Sequence, residues 1–246
     1  MMERDTIYFA SDFHLDNSEK GKERELRVVA WLDSIKHNAK EIYLLGDVFD
    51  FWFEYKYVIP KGFSRLFGKL AELSDAGVDL HIFTGNHDVW IFDYFTEEFN
   101  AVVHREEIRI TRFDKTLIVG HGDGLGPGDH GYKFIKAIFT NRLCQRLFAA
   151  LHPGLGVSLA RFFSRKSRES TRDKDAIYLG DDKEYLVRYC NSVNEKESID
   201  YFIFGHRHML LDKELANGGR YLNLGAWFEN GNFARLDRDG LELEKA

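Results

Sequence analysis

The feature that most constrains this 246-residue chain is a pattern that occurs five times. A short apolar run stops at a turn carrying Asp, Asn or His. Ile7-Tyr8-Phe9-Ala10 runs into Ser11-Asp12-Phe13-His14, and Ile42-Tyr43-Leu44-Leu45 into Gly46-Asp47-Val48-Phe49-Asp50. Leu80-His81-Ile82-Phe83-Thr84 runs into Gly85-Asn86-His87-Asp88, Leu117-Ile118-Val119 into Gly120-His121-Gly122-Asp123, and Tyr201-Phe202-Ile203-Phe204 into Gly205-His206-Arg207-His208. Runs of this length read as buried β-strands. An aspartate set directly after a buried strand is costly unless something positive neutralises it. In open α/β sheets, sites form in the crevice at the carboxyl ends of the strands, so five such turns are expected to converge. They would bring oxygen and imidazole nitrogen, a donor set that suits divalent metal, in a number sufficient for two ions.

Each turn taken singly has a plainer reading. Gly85-Asn86-His87-Asp88 fits a hairpin turn, His206 and His208 fit positions on one strand, and His121 fits a loop histidine among glycines. Five such turns in one chain are what weigh against coincidence.

The remaining pattern predicts how the turns are carried. Helices are expected over 22–37 and 62–76, with a short one after Asp88, and strands over 6–10, 41–45 and 79–84. Residues 101–104, 107–112 and 116–120 read as a meander. Together these predict a parallel sheet that continues into, or packs on, a second mixed sheet. Helical patterns cover 131–151 and 155–164, broken at Pro153-Gly154, and then 173–195. Strands return at 201–205, 209–216, 219–225, 232–236 and 240–244. The length suits a single domain, 1–246, with the helical block 131–195 as an insertion above the site.

Charge is uneven. The net value is −6, yet residues 131–168 hold eight basic side chains (Lys133, Lys136, Arg142, Arg146, Arg161, Arg165, Lys166, Arg168) and no acid, which leaves −14 for the rest. The block also carries an apolar stripe: Ile135, Ile138, Phe139, Leu143, Leu147, Phe148 and Leu151, then Leu155, Val157, Leu159, Phe162 and Phe163. Part of it is ordinary core. The remainder, with its basic rim, predicts a cap that holds a lipid and meets diphosphate or an anionic membrane surface. Nucleic acid is not expected, because the acidic remainder repels a long polyanion. Cys144 and Cys190 form no disulfide or metal pattern, and no signal peptide or membrane-spanning run is seen, so the expected compartment is the reducing cytosol.

The ordered set Asp12/His14, Gly46-Asp47/Asp50, Gly85-Asn86-His87-Asp88, His121 and Gly205-His206/His208 resembles the calcineurin-like metallophosphoesterases across residues 12–208. The resemblance implies an α/β, four-layer αββα sandwich with two divalent ions, Mn²⁺ first, with Fe or Zn²⁺ as alternatives. It implies that Asp12, His14, Asp47 and His208 hold one ion, that Asp47, Asn86, His121 and His206 hold the other, and that Asp47 bridges them. It makes His87 a catalytic group facing the phosphate, with the Asp50 carboxylate accepting its other N–H; Asp50 as a helix N-cap stays open. Asp88 reads as an N-cap, and Ser11 as a turn residue.

Within that superfamily the chain is most similar to the UDP-2,3-diacylglucosamine diphosphatases of lipid A biosynthesis. The features are Gly46-Asp47-Val48-Phe49-Asp50-Phe51-Trp52, His121-Gly122-Asp123-Gly124-Leu125 with Asp129 and Gly131-Tyr132, the helical insertion, and Leu224-Gly225-Ala226-Trp227. This implies a UDP-linked diacylated glucosamine lipid as substrate, with Asn86, Asp129, Arg172 and Lys174 contacting it; Asp129 as an N-cap stays open. It also implies a peripheral place on the inner face of the cytoplasmic membrane. His87 departs from that branch, many members of which carry Arg there, and matches the wider superfamily. The departure bears on substrate rather than on metal chemistry. The rival readings are another phosphoesterase, which needs no apolar cap, and a non-catalytic scaffold, which needs none of these ligands.

Overall fold

A computed structural model describes residues 4–126, 130–160, 162, 164, 177–216, 218–228 and 231–246, with the side chain of His130 left out. Four layers stack as helices, sheet, sheet, helix. The first sheet has six strands in the order β11-β10-β1-β2-β3-β4 and the second has five in the order β5-β6-β7-β9-β8. In chain order these are β1 (Thr6–Ala10), β2 (Ala39–Leu44), β3 (Asp79–Phe83), β4 (Val102–His104), β5 (Ile108–Arg112), β6 (Lys115–Val119), β7 (Tyr201–Phe204), β8 (Leu210–Glu214), β9 (Arg220–Leu224), β10 (Asn232–Asp237) and β11 (Gly240–Lys245). The expected parallel sheet is β1–β4, and it packs on the second sheet rather than continuing into it.

Strand alternation sorts the cores. Ile7, Phe9, Tyr43 and Phe83 face Val119, Ile203 and Leu222 between the sheets. Tyr8, Ile42, Leu44 and Ile82 point outward onto α1 (Glu19–Ile35), α2 (Ser64–Asp75) and α3 (Tyr94–Phe99). α1 starts where Ser18 accepts the Gly21 N–H at 3.1 Å, and it buries Val28, Trp31, Leu32 and Ile35, one stripe at helical spacing. α2 has no cap of its own. Glu25 of α1 accepts from Arg65 N and Leu66 N at 3.1 and 3.2 Å, so the first helix fixes the start of the second. Each buried leucine of the α2 stripe, Leu66, Leu70 and Leu73, contributes roughly 1.5–3 kcal/mol.

Two expectations are corrected. The meander is not one: β4 pairs parallel with β3 in the first sheet, while β5 and β6 form a hairpin in the second. The chain changes sheets over 105–107, a crossing that periodicity does not mark. Of the helix expected over 173–195, the described residues form α7 (Tyr185–Asn194). Gly180, at φ +93°, and a turn over 181–183 precede it, and residues 165–176 lie outside the described ones.

Between β6 and β7 run α4 (His130–Thr140), α5 (Arg142–Ala149) and α6 (153–160). Asn141 splits the expected 131–151 helix by accepting from Leu143 N and Cys144 N, and Pro153 opens α6 at the first helical position. Among the described residues no helix is long and apolar enough to cross a membrane.

Candidate active site

The turns after β1, β2, β3, β6 and β7 meet at one edge of the sandwich. The backbone ties them: Asp12 N donates to the Gly46 carbonyl at 3.1 Å, His14 N to that of Asp47 at 2.9 Å, and Gly205 N to that of His121 at 3.0 Å. Gly46, Gly85 and Gly205 are required by close approach. A Cβ on Gly46 would lie 2.6 Å from His121 Nδ1, one on Gly85 2.5 Å from Asp47 N, and one on Gly205 would overlap Ser11 Oγ and Asp12 Oδ2. Asp12, His14, Asp47 and His206 all hold positive φ, between 45° and 66°, a region that costs a residue with a Cβ roughly 1–2 kcal/mol.

The seven expected metal ligands are brought together. Asp12 Oδ2 is used up by the protein, at 2.5 Å from Ser11 Oγ and accepting His206 N at 2.9 Å. Its Oδ1 is buried with no hydrogen-bond partner and lies 3.6 Å from both His14 Nε2 and His208 Nε2. Those two nitrogens are 3.1 Å apart. Asp47 Oδ2 lies 3.7 Å from His14 Nε2 on one side and 3.6 Å from His121 Nε2 on the other. Asn86 Oδ1 completes the second group, 3.2 Å from His121 Nε2 and 2.9 Å from His206 Nδ1. His121 Nδ1–H donates to the Leu45 carbonyl at 2.7 Å, which turns the Nε2 lone pair inward.

Lone pairs from two carboxylates, one amide and four imidazoles thus face two adjacent points, with Asp47 between them. Such a set fits two divalent ions. Burial pushes His14 and His121 down, but Asp12 and Asp50 lift the first to about 9 and Asp47 lifts the second to about 10. Asp47 is held well below the usual carboxylate range, its burial outweighed by His121 and His87.

His87 stands beside this centre, its ring edge-on to His14 at 5.0 Å. Burial holds its imidazole below the usual range. Its Nδ1 lies 3.0 Å from the Asp50 carbonyl and 2.9 Å from Ser164 Oγ. The expected carboxylate partner is therefore replaced by the same residue's backbone, because the Asp50 side chain turns to His14 Nδ1, 3.4 Å away. Asp129, Arg172 and Lys174 lie outside the described residues.

A model of the calcineurin-like phosphoesterases matches residues 6–210. The chain belongs to the calcineurin-like phosphoesterase family. A Porphyromonas gingivalis protein described as UDP-2,3-diacylglucosamine hydrolase is 40% identical over 255 residues, covering 98% of this chain and 97% of that protein. One of the same description from Haemophilus influenzae is 27% identical over 238 residues, covering 95% of each. The solved structure of a dimetal phosphatase from Danio rerio superposes with a TM-score of 0.54 at 14% identity, covering 99% of this chain and 96% of that one, a likeness of fold alone.

Several residues of this calcineurin-like phosphoesterase site escape sequence reasoning. Asp88 caps no helix. Its buried carboxylate accepts Gly85 N and Val48 N at 2.7 Å, and Asp47 N and Phe49 N at 3.3 Å, stapling the second turn to the third. Burial and the Asp47 charge push it up to about 7. Ser11 orients Asp12. Arg24, buried in α1, donates to the His14 carbonyl at 2.6 Å. Arg207, between His206 and His208, pairs with buried Glu184 at 3.1 Å and donates to the Ile177 carbonyl, tying the end of the helical block to the last turn. Phe228 stacks on His14, ring centroids 5.3 Å apart. Ser11, Asp88 and Arg207 lie inside the marked turns, but their partners are not legible there; Arg24 and Phe228 carry no local signal.

Proposed function

We propose that this chain hydrolyses the pyrophosphate of UDP-2,3-diacylglucosamine to UMP and 2,3-diacylglucosamine 1-phosphate, a step of lipid A biosynthesis. One juxtaposition carries the reading: a polar, cation-binding centre lies directly against helices that expose large apolar side chains. Ser164 touches His87, and Phe148 packs 4.7 Å from Phe53 and 4.8 Å from Trp90, ring to ring. Beyond that seam Phe134 is 68% exposed, and Leu143, Leu147 and Leu155 are each 64% exposed. Large apolar side chains exposed on helices beside a polar site mark a surface that meets a ligand or a membrane. The near full-length relatives described as UDP-2,3-diacylglucosamine hydrolases support the same substrate.

In this reading Asp12, His14, Asp47 and His208 hold one ion, and Asp47, Asn86, His121 and His206 the other, with Mn²⁺ the first candidate and Fe or Zn²⁺ the alternatives. Two such ions polarise phosphoryl oxygens and lower the pKa of water. His87 gives Nδ1–H to the Asp50 carbonyl, so Nε2 faces the substrate. A pyrophosphate beside it raises the imidazole's pKa, and the resulting cation stabilises charge on the departing sugar phosphate. Water oxygen bonds to the α-phosphorus and the bond to the sugar 1-phosphate breaks. The chain is one domain with residues 131–195 inserted as a cap, and the cap's apolar side chains, with Arg142 and Arg146, meet an anionic membrane on its cytoplasmic side.

The test is UMP release from UDP-2,3-diacylglucosamine with Mn²⁺, against UDP-N-acetylglucosamine as the unacylated control. Turnover of the acylated substrate alone is expected. No turnover of either, with an aryl phosphodiester still cleaved, rejects the substrate and leaves a phosphodiesterase whose His87 serves another ester.

A further inference from the structure

A cavity of about 360 Å³ opens beside His121, and neither Ser164 nor the Phe53–Phe148 seam is part of its lining. That volume lies within the range of small-molecule sites, roughly 300–1,000 Å³. Its walls come from four places. Thr84 lies at the end of β3, Arg105 and Glu107 on the passage from the first sheet to the second, His121 and Asp123 on the turn after β6, and Lys133 and Lys136 on one face of α4. The lining is polar and carries both signs of charge. Asp123 is fixed by Lys136 Nζ at 2.6 Å and by the Tyr132 hydroxyl, and Glu107 by the Tyr189 hydroxyl at 3.1 Å.

α4 is a partition. Tyr132, Lys133 and Lys136 are half-buried, the two lysines against the cavity, while Phe134, Ile135 and Ile138 are exposed. A substrate whose reacting phosphorus sits between the two cation positions therefore meets two unlike environments, apolar beyond His87 and polar beyond His121. We infer that the cavity beside His121 holds the nucleoside of a nucleoside monophosphate group, with its phosphate at the His121 edge. This deepens the proposed function and rests on it. Carboxylates such as Glu107 suit ribose hydroxyls, and lysine donors suit the carbonyl acceptors of a pyrimidine and the phosphate. The opposite half of the substrate then leaves past His87, under the exposed apolar helices.

The experiment is calorimetric binding of UMP, and separately of inorganic phosphate, to Mn²⁺-loaded wild type, Lys133→Ala, Glu107→Gln and Phe134→Ala. UMP should bind wild type at least tenfold more tightly than phosphate. Lys133→Ala and Glu107→Gln should each weaken UMP about tenfold, the loss of one hydrogen bond to a charged partner, and move phosphate less than twofold. Phe134→Ala should move neither. The inference is overturned if UMP binds wild type no better than phosphate, if neither cavity variant changes the UMP-to-phosphate ratio, or if Phe134→Ala weakens UMP as much as they do. Turnover of UDP-2,3-diacylglucosamine is measured alongside. Selective loss of UMP without turnover keeps the nucleotide cavity and rejects the lipid substrate. Turnover with UMP binding insensitive to both variants rejects the cavity alone.

Discussion

Gly85→Ala is a one-methyl perturbation of the point where two metal-type turns touch. Gly85 is not held at positive φ, so alanine meets no backbone penalty there. What it meets is Asp47: the new Cβ would lie 2.5 Å from the Asp47 nitrogen and 2.8 Å from its Cγ, and would overlap Oδ1. That oxygen accepts His87 N at 2.8 Å, and the other is shared between His14 and His121. The nitrogen is backbone and cannot swing aside, so the carboxylate or the whole turn must move. Overpacking of this kind costs about 1–3 kcal/mol, and losing the His87 N–H bond to a carboxylate adds about 1.5 kcal/mol. The expected loss is about 3 kcal/mol, or roughly 6–12 °C in a chain of this size. More telling is the metal content, because any shift of Asp47 disturbs both proposed ion positions. Elemental analysis after Mn²⁺ loading should find at least one ion missing per chain. An alanine variant that keeps two ions and unfolds within about 1 °C of wild type would refute the argument from close approach.

Four further outcomes are expected. Gly68→Ala, in the exposed interior of α2 with nothing within 4 Å of the added methyl, should raise the melting temperature by about 1–4 °C, from roughly 0.5–1 kcal/mol of helix propensity. His87→Ala should retain bound metal while turnover falls about 10²–10⁴-fold, whereas Asp47→Ala should lose metal; elemental analysis beside a phosphodiester assay separates the two. Ser164→Ala should lower kcat about fivefold through His87 yet change nothing further in a His87→Ala background, which a double-mutant cycle reads directly. His104 is pushed down to about 4 by burial and by His81, so the folded state favours its neutral form. Its contribution to stability should be complete above about pH 6.5 and fall as pH drops towards 4. After allowance for solvent screening this is about 1–2 kcal/mol, seen as a flatter acid limb in urea melts of His104→Asn.

The five strand ends were legible because each packs its chemistry and its strand into one local word. Ile42-Tyr43-Leu44-Leu45-Gly46-Asp47 states at once a buried strand, a close approach and a carboxylate with nowhere to go but a cation. The same locality explains the limits. Whether Val102–His104 pairs with β3 or β5 depends on a three-residue crossing that has no periodicity of its own. Asp88 looks like a cap because Asp before a short helix usually is one; that it accepts four N–H groups from two turns is settled by the parallel pairing of β2 with β3. Ser164 and His87 are 77 residues apart, and Arg207 and Glu184 are 23 apart. Nothing in either segment names its partner.

The cost of this centre explains why so many unrelated devices surround it. Asp12, His14, Asp47 and His206 sit in the left-handed region, Asp12 and Asp88 are each buried within reach of the Asp47 charge, and Asp12 Oδ1 has no hydrogen-bond partner. A backbone holds such strain only where the surroundings over-determine it. Here they do so from outside the centre: Asp88 fixes the second and third turns, Arg24 the first, Asn223 and the Arg207–Glu184 pair the last. Asp88 works through backbone N–H groups, Arg24 and Asn223 through backbone carbonyls, and the ion pair through the side chain of Arg207, so the inward atoms stay available. The centre is thus built to face a charge that the chain does not itself supply. The same rigid frame is what would let two halves of one substrate, polar and apolar, be parted by α4 without the reacting atoms moving.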